Sequence, residues 1–469
     1  MRQDQHGLEV SGASAAGVRH YDRAIEELLH FRAEVEAESG AALAESPDFA
    51  MGHVLAAYLG LLTTEAEDAW AARERFGAYV RGIDQGALLP RERAHVAAVR
   101  ALLGGDFLTC GALLAEITAG HPRDALALAA GHQVDFFTGD ARMLRDRIGG
   151  ALSAWREEDP HFGHVLGMYA FGLEEAGHYD RSEEVGLRAV ELNPRDVWGV
   201  HAVAHTYEMQ GRFGDGLRYL DARVADWSTG TFFNVHTWWH YCLYALETGD
   251  LPRVLAIYDS VLAGGRSSME LLDAAALLWR LHLEGSDQHE RWQALAEAWP
   301  ARVAEPFYAF NDMHAVMSYV GAGRIAEAER LIAGREAYVA RPHPGVTNHD
   351  MTLRVGLPVC RALVAYGRED YGTVVDLLHP IRHRVAEFGG SHAQRDAVQR
   401  TLLESALRAG RREVARVLVS ERIWVRPCSP YNWLKKAALA DVVGDGAAAA
   451  LDRDRAGELA RSGIVGAAR

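Results

Sequence analysis

Apolar and polar residues follow one another with a helical period along almost the whole chain. From Tyr21 to Glu38, the residues Ile25, Leu28, Leu29 and Val35 fall on one helical face with Phe31 beside it, so the spacing predicts one helix there. The stretch SPDFAMGHVLAAYLGLL (46–62) opens on a Ser-Pro-Asp cap and then runs apolar. PRERAHVAAVRALLGGDF (90–107) opens on a proline suited to a helix start and ends just past Gly104 and Gly105. Strand-like alternation is nearly absent and alanine and leucine dominate, so the predicted fold class is all-α. Residues 1 to about 20 lack the pattern and read as a flexible lead-in, which makes 1–45 a lead-in plus a first helix.

A punctuation is superimposed on this period. Glycines placed as tight turns between helices recur at Gly105, Gly139, Gly177, Gly211, Gly249, Gly285, Gly323, Gly367 and Gly410. The intervals are 34, 38, 34, 38, 36, 38, 44 and 43. A period near 34 with a turn glycine between two helices is the tetratricopeptide pattern. In the best unit Ala170 recurs as Ala204, Glu174 as Glu208, Gly177 as Gly211 and Tyr179 as Phe213, each 34 residues on. NPRD (193–196) and HPRD (121–124) supply prolines between helices. The expectation is a superhelical α-solenoid of about nine irregular helix–turn–helix units over 46–440, coiled tightly enough to enclose a central polar pocket, with a capping helix and tail over 441–469. The longer intervals leave room for loops, of which STGTFFN (228–234) and RPHPGVTNHD (341–350) stand out.

Composition narrows the partners. The net charge is −15 with histidines neutral, which disfavours nucleic acid and anionic membranes. No run of about 18 uncharged apolar residues exists, so no membrane span is expected. The first residues lack the apolar core of a signal peptide. Cys110, Cys242, Cys360 and Cys428 are far apart and form no CxxC, the pattern of reduced thiols in a cytoplasmic protein. Nothing in the sequence excludes a homodimer or a protein partner.

The chemistry gathers between Val200 and Asp250. His201, His205 and Glu208 lie at i, i+4 and i+7, and His236 and His240 at i, i+4, so each set shares a helical face. In a tetratricopeptide unit the first helix turns positions about 13, 10, 6 and 3 residues before the turn glycine toward the concave groove. Counting back places His164, Glu174, His201, His205, Glu208, His236 and Trp239 there, with His240 beside Trp239. Near the same face come His132 and Asp135 before Gly139, and Asn311, Asp312 and His314 before Gly323. A peptide-binding groove more often carries Asn, Lys and Arg; this one carries imidazoles, carboxylates and tryptophans.

Long motifs then carry a resemblance. PDFAMGH (47–53), PRERAHVAAV (90–99), HPRDALAL (121–128), GMYAFGLEE (167–175), NPRDVWGVHAVAHTYEM (193–209), NVHTWWHYCLYALE (234–247), FNDMHAVM (310–317), VGLPVCRALV (355–364) and GGSHAQRD (389–396) stand in this order. The chain thereby resembles the family of tetratricopeptide repeat protein 38 over most of its length. His201, His205, Glu208, His236, His240, Asn311, Asp312, His314 and the run Gln394-Arg395-Asp396 match its pattern, whereas some members carry asparagine at His392. The resemblance implies an α-solenoid and supplies no reaction.

Three readings of the histidines stand. Two pairs at i, i+4 on neighbouring helices can give His201, His205, His236 and His240 to one divalent metal ion. They can form a metal-free acid–base or ligand-binding cluster, or hydrogen-bonded packing. HExxH, which carries its own general base, is absent, since Ala202 follows His201. The leading expectation is a small-molecule site with acid–base or hydrolytic chemistry. His201, His205, Glu208, His240, Asp312 and His314 are its catalytic candidates. Asp135, His164, Asn234, Trp239, Asn311, Gln394 and Arg395 are candidates for ligand contact. Trp239 would be a stacking wall, Asp312 would orient His314, and Arg395 would anchor an anionic group of the substrate. Ser391 reads better as a helix cap than as a nucleophile, and Cys242 points away from His240 on a helix. The alternative is a scaffold that holds a peptide or partner helix, and the test between the two is whether the side chains converge.

Overall fold

The computed structural model describes residues 2–467. It is an array of antiparallel helices, and the only strands among the described residues are Arg2–Gln3 and Glu9–Val10. Each helix pair buries an apolar stripe against its neighbours, so Phe162–Glu175 packs on both Tyr179–Leu192 and Val197–Gln210. One continuous apolar core runs from Val10 to Tyr431.

The turn glycines explain the spacing. Gly105, Gly139, Gly177, Gly211, Gly249, Gly285, Gly323 and Gly410 all have positive φ, which glycine adopts without a Cβ penalty as it ends a helix. Gly367 departs from the expectation. It is the last residue of the helix Leu357–Gly367, and the positive φ falls on Glu369, at 60°. A Cβ at Gly367 would lie 2.5 Å from Val320 Cγ1, so this glycine serves a close helix–helix approach.

The N-terminal segment also differs from its prediction. Residues 2–10 form an antiparallel pair, with Arg2 opposite Val10, in place of a flexible lead-in. The Arg91 guanidinium donates to the Glu9 carbonyl at 3.0 Å, and the Ser11 amide and hydroxyl donate to Glu92 at 2.8 and 2.6 Å. The single helix predicted over Tyr21 to Glu38 is two, Ala15–Leu29 and Glu34–Glu45. The break lies at Phe31, whose φ is 55°. Its ring stacks on Trp198 at 5.2 Å and 14°, and its carbonyl accepts from the Phe232 amide at 2.7 Å. Contacts with residues about 170–200 positions away thus override a local period that runs straight through.

The solenoid closes on itself. The Thr347 amide donates to the Gly105 carbonyl at 2.9 Å, and the Tyr308 hydroxyl to the Phe137 carbonyl at 3.2 Å. Glu175 meets Arg395 at 3.0 Å, and Glu247 is bonded to Arg400. These contacts bring residues 308–400 against residues 105–247 and leave an interior cavity whose lining is largely apolar, where the sequence predicts a polar pocket. The end of the loop RPHPGVTNHD (341–350) is itself helical, as Thr347–Met351. The C-terminal helix, Gly446–Ala467, packs on Pro430–Val442 and Phe213–Asp221; residues 468–469 of the predicted tail lie outside the described residues.

Candidate functional site

The helix Val197–Gln210 starts at Asp196, whose carboxylate accepts from the Gly199 amide at 3.1 Å. Its partner is the helix Asn234–Glu247. His201 and His205 stand one turn apart on the first, His236 and His240 one turn apart on the second, and all four meet. The ring centroids are 4.4 Å apart for His201–His205, 4.3 Å for His205–His240, 4.8 Å for His236–His240 and 4.9 Å for His201–His236. One nitrogen from each ring can be chosen so that all lie within 4.8 Å of one another.

Carboxylates are hydrogen-bonded behind two of the rings, and a third acidic group lies near another. His236 Nδ1 donates to Asp273 Oδ2 at 2.8 Å, and His240 Nδ1 to Glu208 Oε2 at 3.0 Å. His205 Nδ1 lies 3.5 Å from Glu174 Oε2. An ionised carboxylate only accepts, so Nδ1 of His236 and His240 carries the proton and Nε2 keeps a free lone pair. His236 Nε2 lies 3.1 Å from His201 Nε2, and the Nε2 atoms of His205 and His240 are buried with no hydrogen-bond partner. Carboxylate-backed imidazoles with inward lone pairs are the arrangement of a transition-metal site. Nitrogens about 2.0–2.1 Å from a tetrahedral ion lie roughly 3.3 Å apart, close to the His201–His236 spacing. The residues present therefore fit a divalent ion.

The electrostatics agree. Burial holds His201 and His205 well below the ordinary imidazole value, with the neighbouring imidazoles adding to it. Burial also lowers His240, against the opposing pull of Glu208. Burial alone would raise Glu208, but the hydrogen bond from His240, together with the charges of Arg426 and Arg280, outweighs it and keeps this carboxyl below the usual value. Neutral imidazoles beside an ionised carboxylate are the protonation states a cation requires. Glu174, buried and beside Glu175, is pushed up to about 7. It also belongs to a second group, with Glu175 and His392, whose ligand atoms lie within 4.8 Å.

A cavity of about 340 Å³ opens onto this cluster. His201 and His236 line it, whereas His205 and His240 lie behind them. Its aromatic wall is Phe31, Trp198 and Phe233: Phe31 meets Phe233 at 4.5 Å, and Trp198 meets it at 5.0 Å. Trp198 Nε1 donates to His132 Nε2 at 3.2 Å.

The remaining predicted residues divide. His164 and Gln394 line the cavity, with Gln394 also closing a capping box on Ser391. Asp135 and His132 do not line it; the cavity face of Ala125–Thr138 carries Leu126, Ala129, Ala130, Gln133 and Phe136. Asp135 is gripped by Arg147 at 2.7 and 2.8 Å. Asp312 does not orient His314. Arg335 holds it at 2.9 and 2.7 Å, while His314 Nδ1 donates to the Phe310 carbonyl at 2.8 Å. Asn311 donates to the Thr64 carbonyl at 3.0 Å, and Asn234 begins its helix without lining the cavity. Trp239 is fully buried, stacked on His236 at 5.3 Å with the Arg280 guanidinium over its ring, so it is no wall for a ligand. Arg395 does not reach the cavity, because Glu175 and the Gly390 carbonyl hold its guanidinium.

Asp273, Trp198, Phe31 and Phe233 escaped the sequence reading. Trp198 lies 13 residues before Gly211, a groove-facing position, so its signal was present. Asp273 lies 12 before Gly285, one residue off the pattern, and Phe31 reaches the site only through the helix break. No protein-family model matches the chain.

Asp196 sets a pH dependence that is separate from the cluster. Burial pushes its carboxyl up to about 7 against the pull of the Gly199 and Trp198 amides. The folded protein thus keeps a proton that the unfolded chain releases. The stability this adds is full below about pH 4 and is lost as pH rises through about 7. Asp196→Asn keeps the cap and removes the charge, so its stability advantage over wild type should grow by about 2 kcal/mol between pH 5 and pH 8. Urea midpoints at the two pH values check this; an advantage that does not change with pH contradicts it.

Proposed function

We propose that this chain is a metal-assisted enzyme acting on a small molecule held in the central cavity, by acid–base or hydrolytic chemistry. The observation that carries the reading is the convergence of four imidazoles, two of them backed by Asp273 and Glu208, at the floor of an aromatic-walled cavity. A scaffold for a peptide has no need to bury its ionisable groups at one point. His205 and His240 anchor the cluster in the core, and His201 and His236 present its other edge to the cavity. A bound divalent cation would polarise a carbonyl or a water molecule there. Asp273 and Glu208 accept the Nδ1 protons and fix the tautomers that leave Nε2 free. Trp198, Phe31 and Phe233 exclude water from the reacting end. The reading is compatible with membership of the tetratricopeptide repeat protein 38 family and, with four free cysteines, with a cytoplasmic location.

Elemental analysis of purified wild type and His205→Ala tests the proposal. The expected result is about one transition-metal ion per chain in wild type and loss of it in the variant. Wild type that stays metal-free after incubation with zinc, cobalt, nickel, manganese and iron removes the metal-assisted reading.

A further inference from the structure

The cavity also limits what it will admit. Its body is apolar: Leu126, Phe136 and Met168 continue the wall begun by Phe31, Trp198 and Phe233. At about 340 Å³ it lies at the small end of ligand pockets, enough to enclose a compact molecule. Its charged lining is Arg32 against Glu36, Glu270 and Asp273. Arg32 is paired with Glu27 at 3.3 Å, Glu270 caps its own helix through Ser267, and Asp273 is committed to His236. The deep cation nearest in sequence to the cavity-lining Gln394, Arg395, is taken by Glu175. In the cavity without a bound ion, a charged group of either sign would therefore be desolvated with no deep counter-charge set aside for it, since Arg32, Glu270 and Asp273 are taken and Glu36 is solvent-exposed.

From this lining we infer that the ligand of the site is an uncharged molecule with a compact apolar body and one carbonyl-type polar end, presented to His201 and His236. The inference rests on the proposed function only for where the polar end lies; the selection against charged groups is that of the cavity without a bound ion. The anionic substrate expected from Arg395 is replaced by an uncharged one.

The test uses full-length protein and the uncharged fluorescent probe N-phenyl-1-naphthylamine, with methyl octanoate, octanoate and octylamine as competitors. Bound metal is first removed with a chelator, and the metal uptake of the same preparation is measured separately. Methyl octanoate is expected to displace the probe at a concentration at least about 10-fold lower than octanoate or octylamine. Ala129→Phe, which projects a ring into the void from a half-buried wall position, should abolish probe binding while the circular dichroism spectrum is kept. Octanoate or octylamine competing as well as the ester overturns the inference, as does a folded Ala129→Phe protein that still binds the probe. Protein that prefers the ester but takes up no metal on incubation with zinc, cobalt, nickel, manganese and iron overturns the proposed metal chemistry and leaves this inference standing. Protein that takes up an ion yet, stripped of it, prefers octanoate does the reverse.

Discussion

His240→Ala is expected to weaken metal binding by about 100- to 1000-fold, and Glu208→Gln by about 10- to 100-fold. The first figure treats the ion as held by four comparable donors. Structural zinc in small peptides contributes about 10–16 kcal/mol, so one imidazole is worth about 2.5–4 kcal/mol. His240 is fully buried and its Nε2 has no other partner, so no water replaces it at low cost. The second figure is the usual effect of removing a partner behind a ligand. Glutamine at position 208 keeps the volume and one acceptor but loses the charge that favours His240 Nδ1–H facing it at 3.0 Å. Titration of chelator-treated protein with cobalt(II), followed by absorbance, gives both affinities. The order of the two variants is the sharper test. If Glu208→Gln is as damaging as His240→Ala, Glu208 is itself a ligand; if neither changes affinity, the ion is bound elsewhere.

The largest loss of stability is expected at Asp396. Arg400 Nε and Arg422 Nη1 each meet its carboxylate at 2.7 Å, and Arg426 Nη1 lies at 3.8 Å. Burial would raise this carboxyl, yet the arginines outweigh it and hold it well below the usual aspartate value. Arg426 Nη1 lies 3.6 Å from Glu208, so the network reaches the back of the histidine cluster. Asp396→Ala leaves three buried guanidinium groups short of a counter-charge, which costs about 3–5 kcal/mol. Urea unfolding measures it. A loss below about 1 kcal/mol would mean that Glu247 and Glu208 already neutralise the arginines. Asp396→Asn should fall between the two, because it keeps the acceptor oxygen and loses the charge.

These two sites also mark what the chain discloses in sequence. His201, His205 and Glu208 on one face, and His236 with His240 on the next first helix, are visible because helical spacing and a turn glycine at a near-constant interval are local properties. The partners of Arg395, Asp312 and Asp135 are not visible. Each carboxylate or guanidinium is satisfied from another helix, and sequence spacing carries no trace of which one. Trp239 and Trp198 show the same limit in a finer form. Both stand at groove-facing positions by count, yet the closure of the superhelix buries one under Arg280 and leaves the other on the cavity. The break at Phe31 was hidden because its cause, Trp198 and Phe232, lies beyond any local window.

The closed solenoid also imposes an order of assembly. The four histidines and Asp273 are all synthesised by residue 273, while the segment that covers them from the far side begins at Ser391 and extends to Arg426. A ribosome adding about 5–20 residues per second spends roughly 6–24 s between those points. During that interval the cluster can exist as a finished set of donors on an unfinished superhelix, open to the surrounding solution. An ion bound there in that interval would be drawn from what is free in the cell while the chain is being made, before the last repeats arrive.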